Sequence, residues 1–293
     1  KVTIQTSGGA RVEEKDSGLE ISIRAFCSDL ASGHAVSVAR DEGEFDPSTA
    51  GRQAGEIASI SLNPEEAMPG KKDALLGPLV FADLVSQLGD RSSAFFVDAG
   101  LSFLAGKIGS QVASDKFTMH DDPTVRDSYG LKISDDEGVP TSRKTVVEKG
   151  FLRTYLHNST TANKFGVKTT GNAGLLVPHP WNLVVEPGGK RMEEILSSID
   201  QGIYVTNDWY LRYQDYSRGD FSTIPRDGMF IIESGELAKP VRSLRISDNM
   251  LRIFHNIVEI SSERRWVKWW EVEIPTLTPY ALVEDLNFSK SAM

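Results

Sequence analysis

The sequence predicts an α+β protein, with a smaller α/β region on the N-terminal side and a larger β-rich region that carries a few packed helices. Alternating apolar residues, typical of half-buried strands, dominate the first 45 residues and the chain after residue 94. Helical spacing occurs in only a few segments, which do not alternate regularly with strands as in βαβ folds. The composition, 40% hydrophobic and 25% charged in 293 residues, is that of an ordinary globular protein.

The first part of the chain is predicted to form strands. Ile21–Cys27 and Ala35–Val38 are two alternating runs, and Ser32-Gly33 is predicted to provide a turn between them. Cys27 is the only cysteine, so no disulfide can form within the chain. Because Cys27 falls on the apolar side of its alternating run, we expect a small core residue and not a nucleophile.

Two helical patterns flank a candidate domain boundary. Asp46–Leu62 opens with a capping aspartate, and Leu75–Leu88 carries leucines at helical spacing. The stretch between them, Asn63–Asp73, is rich in proline, glycine and lysine and has few apolar residues. The predicted domains are therefore 1–70 and 71–293.

Glycine turns and short apolar runs organise the rest of the chain. Lys149-Gly150 and Ser234-Gly235 each separate two apolar runs, which predicts two β-hairpins. Ala94–Val97 is predicted to be a short strand. Two further amphipathic helices are predicted, Met192–Ile199 and a segment from an Asp248 cap through Val258.

Charge and hydropathy argue against two functional classes. The net charge is −9, and the densest basic group, around Arg264 and Arg265, stands beside acidic residues, which disfavours nucleic-acid binding. No apolar run reaches the roughly 18–20 residues of a membrane helix. We therefore expect a cytoplasmic protein. The chain begins at Lys1 with what is predicted to be a strand, so we expect it to start partway into a longer protein.

The polar residues show no complete catalytic pattern. The five histidines are too far apart in sequence to form a helical metal-ligand pair, which leaves only a site assembled from distant segments, and we expect no bound metal or cofactor. There is no Gly-x-Ser-x-Gly nucleophile motif. Ser134–Gly138 holds three adjacent acids, and we predict a turn in which an aspartate caps backbone N–H groups. The aromatic and polar stretch Tyr204–Phe221 has two interpretations, a peptide-contacting surface or rings that belong to the core.

Several motifs together resemble the TldD/PmbA family, whose members have been described as DNA gyrase modulators. The resemblance extends over roughly residues 1–285. The motifs that carry it are Ser102–Gly109, Asp121–Pro123, Asp135–Gly138, Glu148–Leu152, Thr170–Ala173, Gly219–Ser222 and Ile232–Glu236. The resemblance implies a smaller α/β region followed by a larger β-rich one, and a further N-terminal segment that this chain lacks.

The chain departs from the metal-binding pattern that the resemblance implies. Metal-carrying members place a His-Glu-x-x-x-His helix before the Gly-Lys-Ile-Gly region and add a cysteine ligand near the C-terminus. Counting back without gaps from Gly106–Gly109, the two histidine positions fall on Val85 and Asp90 and the glutamate position falls on Ser86. Cys27 is far from the cysteine position. We therefore expect no zinc site and no catalytic residues in this chain.

The missing ligands resemble the PmbA or TldE branch of the family. This implies a metal-free subunit that pairs with a zinc-bearing TldD-like chain and helps to degrade unfolded peptides, or a homodimer in the absence of that partner. The candidate substrate-binding residues are Tyr155, Asn172, Trp209, Tyr210 and Tyr213.

Two other functions stay open from the sequence. One is a stand-alone peptide-binding or regulatory module of the gyrase-modulator type, without peptidase activity. The other is an enzyme with a different active site, built on Asp135, Asp136, Glu137 and one of the scattered histidines.

Overall fold

The computed structural model describes residues 1–291, and within them it contains six helices and sixteen strands. The helices are α1 Pro47–Ile60, α2 Pro78–Arg91, α3 Ala94–Asp98, α4 Ser159–Phe165, α5 Met192–Ser197 and α6 Met250–His255. The first eight strands are β1 Val2–Gln5, β2 Arg11–Glu14, β3 Leu19–Ser28, β4 Ala31–Ala39, β5 Glu65–Glu66, β6 Gly70–Leu76, β7 Met119–Asp121 and β8 Lys144–Glu148. The other eight are β9 Phe151–Leu152, β10 Leu183–Val185, β11 Gln201–Asp215, β12 Asp220–Glu233, β13 Glu236–Arg242, β14 Leu244–Asn249, β15 Ile257–Trp269 and β16 Val272–Lys290.

One large mixed sheet organises the molecule, which confirms the predicted α+β class. Its order is β5-β13-β12-β11-β6-β16-β10-β7-β8-β9, with β14 paired to β12 and β16, and β15 paired to β16. Strand β6 is central, because it pairs in parallel with β11 and antiparallel with β16. Lys71–Asp73, within the predicted boundary region, therefore belong to this strand.

Helix α2 covers one face of the sheet and forms the middle of the core. Phe81 on α2 is fully buried and contacts Phe117 and Phe254, with ring centroids 6.1 and 6.3 Å away. The helix begins at Gly77-Pro78, and proline suits the first turn because its missing N–H has no partner there.

The two leucines before α2 correct the predicted start of that helix. Leu75 and Leu76 belong to β6, and they pack on opposite faces of the sheet. A strand buried on both faces has a continuous apolar run, so its leucines resemble the start of the helical pattern that follows.

Strands β3 and β4 form a two-stranded sheet, called the small sheet below, that packs against α1, and β1 pairs with β2 in another two-stranded sheet. Helix α1 is capped as predicted, with the Asp46 side chain accepting from the backbone N–H of Thr49 at 2.9 Å. The turn between β3 and β4 lies at Asp29-Leu30, so the predicted turn at Ser32-Gly33 was wrong. Gly33 lies within β4, where an added Cβ would stand 2.1 Å from the carbonyl oxygen of Ala54. This glycine serves close packing of α1 and not chain reversal.

Cys27 also differs from its prediction. It lies on the exposed end of β3, where the pairing with β4 shifts register between Phe26 and Ser28. Because a one-residue shift moves the following side chains to the other face, the alternation that begins at Ile21 does not continue to Cys27.

Three further predictions are settled by the local structure. Both predicted hairpins are confirmed, with Lys149-Gly150 and Ser234-Gly235 at positive φ as two-residue hairpin turns require. Ala94–Val97 is the start of helix α3 and not a strand, because a short apolar run does not distinguish the two. The last predicted helix is shorter than expected. Asn249 and not Asp248 caps α6, and Ile257 already begins β15.

Candidate functional site

The helix expected to carry the zinc ligands of the family is α2, and its side chains do not fit a metal ion. Val85 is completely buried in the core and offers no donor atom. Ser86 is nearly buried, and the Asp90 carboxylate forms an ion pair with the Arg91 guanidinium. Zinc sites use about three Cys, His or carboxylate ligands. Across residues 1–291, no three His, Cys, Asp or Glu side chains are grouped so that they could hold a metal ion.

Two residues before Val85, α2 contributes to a buried group of acids, Asp83, Asp208 and Glu271. Asp83 and Asp208 have no exposed surface. Within the described chain, Asp83 Oδ2 and both carboxylate oxygens of Asp208 have no hydrogen-bond partner. Glu271 accepts the backbone N–H of Tyr210 at 2.6 Å and lies 3.7 Å from Arg212.

Burial determines the protonation of this acid group. Burial, followed by the negative charge of Glu271, raises the pKa of Asp83 to about 8. Burial, followed by the charge of Asp83, raises the pKa of Asp208 well above its usual range. At neutral pH the Asp83 carboxyl is therefore mostly protonated and uncharged, and the raised pKa of Asp208 favours the same form, which makes both side chains poor cation ligands.

Beside the acids lies an aromatic surface, which we call the tryptophan cluster: Trp209, Tyr210, Trp269 and Trp270. The Trp209 ring centroid is 4.9 Å from Trp269 and 5.4 Å from Trp270. Tyr210 has a φ of 60° at a bulge in β11, and its ring is 41% exposed. Trp270 is 50% exposed. The cluster thus offers two half-exposed rings, Tyr210 at the bulge of β11 and Trp270 in the turn between β15 and β16.

Under the tryptophan cluster, Asp227 joins the small sheet to the large one. Its buried carboxylate accepts from Arg24 Nη2 at 2.6 Å, Ser32 Oγ at 2.6 Å, Trp209 Nε1 at 2.7 Å and Asn207 Nδ2 at 3.1 Å. These donors, led by the Arg24 hydrogen bond, outweigh burial and hold the pKa of Asp227 below its usual range.

His34 lies next to this network and is held neutral. Asn207 Nδ2 donates to its Nδ1 at 2.8 Å, so the other ring nitrogen, 2.7 Å from Ser22 Oγ, carries the proton. Burial lowers the pKa of His34 to about 4, with Arg24 acting in the same direction and Asp227 opposing it.

The predicted substrate-binding residues lie in different environments. Tyr155 is buried, and its hydroxyl donates to the Leu104 carbonyl oxygen at 2.7 Å. Asn172 is fully buried and donates to Asp121 at 2.6 Å. Tyr213 is partly buried on the main core, while Trp209 and Tyr210 belong to the tryptophan cluster. The structure therefore groups two of the five residues at an accessible surface.

The predicted acidic turn is confirmed in detail. Asp135 is fully buried, and its carboxylate accepts the backbone N–H groups of Glu137, Val139 and Ala173 at 2.9–3.0 Å. These contacts leave Asp135 with a structural role in fixing the loop.

The sequence reasoning did not single out Asp83, Asp208 or Asp227. A signal for Asp83 was present, since an aspartate inside the apolar run of α2 interrupts a core pattern. For Asp227 the signal was the Asp-Gly pair within a strand, which marks a bulge.

Comparison with known families identifies the chain. Residues 69–290 match the family model described as the PmbA/TldA metallopeptidase C-terminal domain. The chain belongs to the PmbA/TldD family. This confirms the resemblance drawn from its motifs.

Curated relatives agree with this assignment. A metalloprotease of Methanothermobacter thermautotrophicus is 30% identical over 221 residues, which cover 73% of this chain and 48% of the relative. A metalloprotease PmbA homolog of Buchnera aphidicola subsp. Baizongia pistaciae is 25% identical over 240 residues, covering 80% and 51%. The chain therefore spans about half the length of the curated relatives it matches.

Solved structures share the fold over nearly the whole chain. A Thermotoga maritima protein named as a candidate modulator of a DNA gyrase superposes with a TM-score of 0.86 at 31% identity, covering 97% of this chain and 65% of that one. TldE from Thermococcus kodakarensis gives the same TM-score and coverage at 23% identity, which supports the fold alone. No helix among residues 1–291 has the length and apolar character needed to cross a membrane.

Proposed function

We propose that this chain is a metal-free, PmbA- or TldE-like subunit of a TldD/PmbA-type metallopeptidase complex that degrades or trims unfolded peptides. The observation that carries the proposal is the family fold combined with Val85, Ser86 and Asp90 at the positions expected for the metal ligands and the general base. General-base activation of a metal-bound water needs those groups. A zinc-bearing TldD-like partner would supply them.

In such a complex this chain would contribute part of the surface that holds the peptide. The half-exposed rings of Tyr210 and Trp270 suit this role, because aromatic side chains bury large area at low entropic cost on binding. Tyr155 and Asn172 would act indirectly, by fixing the loops around them.

The decisive experiment measures metal content and peptide cleavage in parallel. The chain alone is expected to carry no stoichiometric zinc and to leave casein or a flexible peptide intact, whereas a mixture with a TldD-type chain should cleave the substrate. Stoichiometric zinc and cleavage by the isolated chain would refute the proposal.

A variant tests the contribution of the tryptophan cluster within the active mixture. Tyr210→Ala is expected to raise KM for a flexible peptide several-fold with little change in kcat, since it removes uniform binding. Tyr216→Ala is the matched control, because this ring is 44% exposed but lies in the turn after β11. An unchanged KM in Tyr210→Ala would show that the tryptophan cluster does not contribute to substrate binding.

A second candidate function is a stand-alone peptide-binding or regulatory module. It is favoured by the similarity to the Thermotoga maritima protein named as a candidate gyrase modulator. The two functions differ in assembly: the subunit role predicts a stable complex with a TldD-like chain on size-exclusion chromatography, and the module predicts none.

A further inference from the structure

A gap interrupts the large sheet along β12. This strand pairs with β14 through Asp220–Thr223 and with β13 through Phe230–Glu233. Between these segments, residues 224–229 have no strand partner on that side within residues 1–291. The two neighbouring strands diverge here and are joined by a link in which Ser243 has a φ of 66°. Residues of β3, β4 and the β13–β14 link, and not another strand, therefore border this part of β12.

A cavity of about 370 Å³ lies at this gap. Its apolar wall is formed by Phe26 and Leu30 from the β3–β4 hairpin and by Pro225, Met229 and Val241 from the large sheet. Phe26 and Leu30 are 60% and 54% exposed although both are large apolar side chains. This volume lies at the small end of ligand pockets, so it suits one residue or a small molecule.

The charged residues of the cavity leave positive charge in excess. Arg24, Arg226 and Arg242 line it together with Asp29 and Asp227. Arg24 and Asp227 neutralise each other in a direct ion pair. Within the described chain, neither Arg226 nor Arg242 forms an ion pair, and the buried Nε of Arg242 has no hydrogen-bond partner. Two of the lining arginines are thus left with one carboxylate, and the guanidinium of Arg226 lies over the Tyr210 ring, 5.5 Å from its centroid.

We propose that this cavity binds the C-terminal residue of an extended peptide, with its carboxylate on the Arg242 side and an apolar side chain against Phe26 and Leu30. A guanidinium group binds a carboxylate through paired, charge-assisted hydrogen bonds. The strand backbone contributes little here, because Pro225 has no N–H and the carbonyl oxygens of Asp227 and Gly228 already accept from Thr206 Oγ1, so the proposed recognition rests on the side chains of the cavity. The described residues that line the cavity, Ser291 among them, all belong to this chain, so this inference does not depend on a partner subunit or on peptidase activity.

Fluorescence anisotropy with a short labelled peptide tests the proposal on the isolated chain. The probe is fluorescein-Gly-Gly-Ser-Gly-Phe with a free C-terminal carboxylate, and the comparison peptide is the same sequence ending in an amide. The free acid is expected to bind about tenfold or more tightly, because charge-assisted bonds are lost on amidation. Equal affinity, or no binding at millimolar peptide, would overturn the proposal.

A third peptide distinguishes the source of the carboxylate. It carries an internal aspartate and an amidated C-terminus. It should bind as weakly as the amidated probe if the cavity recognises a chain end. Binding as tight as the free-acid probe would show recognition of acidic side chains and refute the C-terminal assignment.

Two variants connect binding to the cavity. Arg242→Gln is expected to weaken the free-acid probe about tenfold while leaving the amidated probe unchanged, and Arg218→Gln, an exposed guanidinium outside the cavity, is the matched control. Phe26→Ala should weaken the binding of both probes. Because Phe26 is exposed, its replacement is not expected to unfold the protein. Wild-type affinity in Arg242→Gln or in Phe26→Ala would contradict the proposed site.

Discussion

Replacing Asp83 by asparagine is expected to make the stability of the protein less dependent on pH. The folded-state pKa of Asp83 is raised from 3.8 to about 8, so the folded protein holds a proton that the unfolded chain releases. The stability contribution of this carboxyl is therefore complete below pH 4 and is lost as the pH rises toward 8. The amide introduced by Asp83→Asn would carry no such proton in either state.

The size of the effect follows from proton linkage. A proton bound only by the folded state lowers the free energy of unfolding by about 1.4 kcal/mol for each unit of rising pH. Between pH 6.5 and 7.5 Asp83 is still mostly protonated, so this carboxyl alone should remove roughly 1 kcal/mol of stability. Asp208 acts in the same direction, because its pKa is also raised.

Urea unfolding followed by fluorescence of the five tryptophans measures this slope. The pH dependence of Asp83→Asn between pH 6.5 and 7.5 should be weaker than that of wild type by roughly 1 kcal/mol per pH unit. Asp115→Asn, at an exposed position, is the control and should keep the wild-type slope. Identical slopes in wild type and Asp83→Asn would refute the assignment of a buried, protonated carboxyl.

Two other predictions concern the junction of the small and large sheets. The pKa of His34 is lowered to about 4, so its stability contribution is present above pH 6.5 and is lost as the pH falls to 4. In urea unfolding, the free energy of unfolding of His34→Gln should therefore fall less steeply with decreasing pH than that of wild type, by up to about 1.4 kcal/mol per pH unit. The same pH dependence below pH 6.5 in His34→Gln and wild type would contradict the assignment of a neutral, buried histidine. Gly33→Ala should lower stability by about 1–3 kcal/mol, because its Cβ would meet the Ala54 carbonyl oxygen at 2.1 Å. Gly55 lies on α1 next to Ala54, but a Cβ added there would meet no atom within 4 Å. Gly55→Ala should therefore raise stability by about 0.5–1 kcal/mol in thermal unfolding. A loss equal to that of Gly33→Ala would contradict the packing argument.

The parts of the fold that could be predicted are those encoded by local chemistry. The Asp46 cap determines where α1 starts, and Lys149-Gly150 determines a hairpin, because each acts within a few residues. Gly33 shows the limit of this reasoning. A glycine needed for a turn and a glycine needed for a close approach look alike until the partner helix is known. Ala94–Val97 shows the same limit, since so short a run holds too little periodicity to separate helix from strand.

The candidate site was harder to predict because its parts come from distant segments. Asp83 lies on α2 and Asp208 on β11, far apart in sequence, and only the packing of α2 on the sheet brings them together. Trp209 and Tyr210 were identified from their aromatic and polar surroundings. Their neighbour Trp270 joins them through the turn between β15 and β16.

The hydrogen bonds of Asp227 cross the start of the segment that the family model recognises. Asp227 lies inside the segment 69–290 that the family model recognises, whereas Arg24 and Ser32 lie outside it. A fragment that began at residue 69 would keep the Asp227 carboxylate but lose Arg24 and Ser32, two of the four side chains that donate to it. The segment delimited by similarity thus omits residues that complete the hydrogen bonding of a buried side chain inside it.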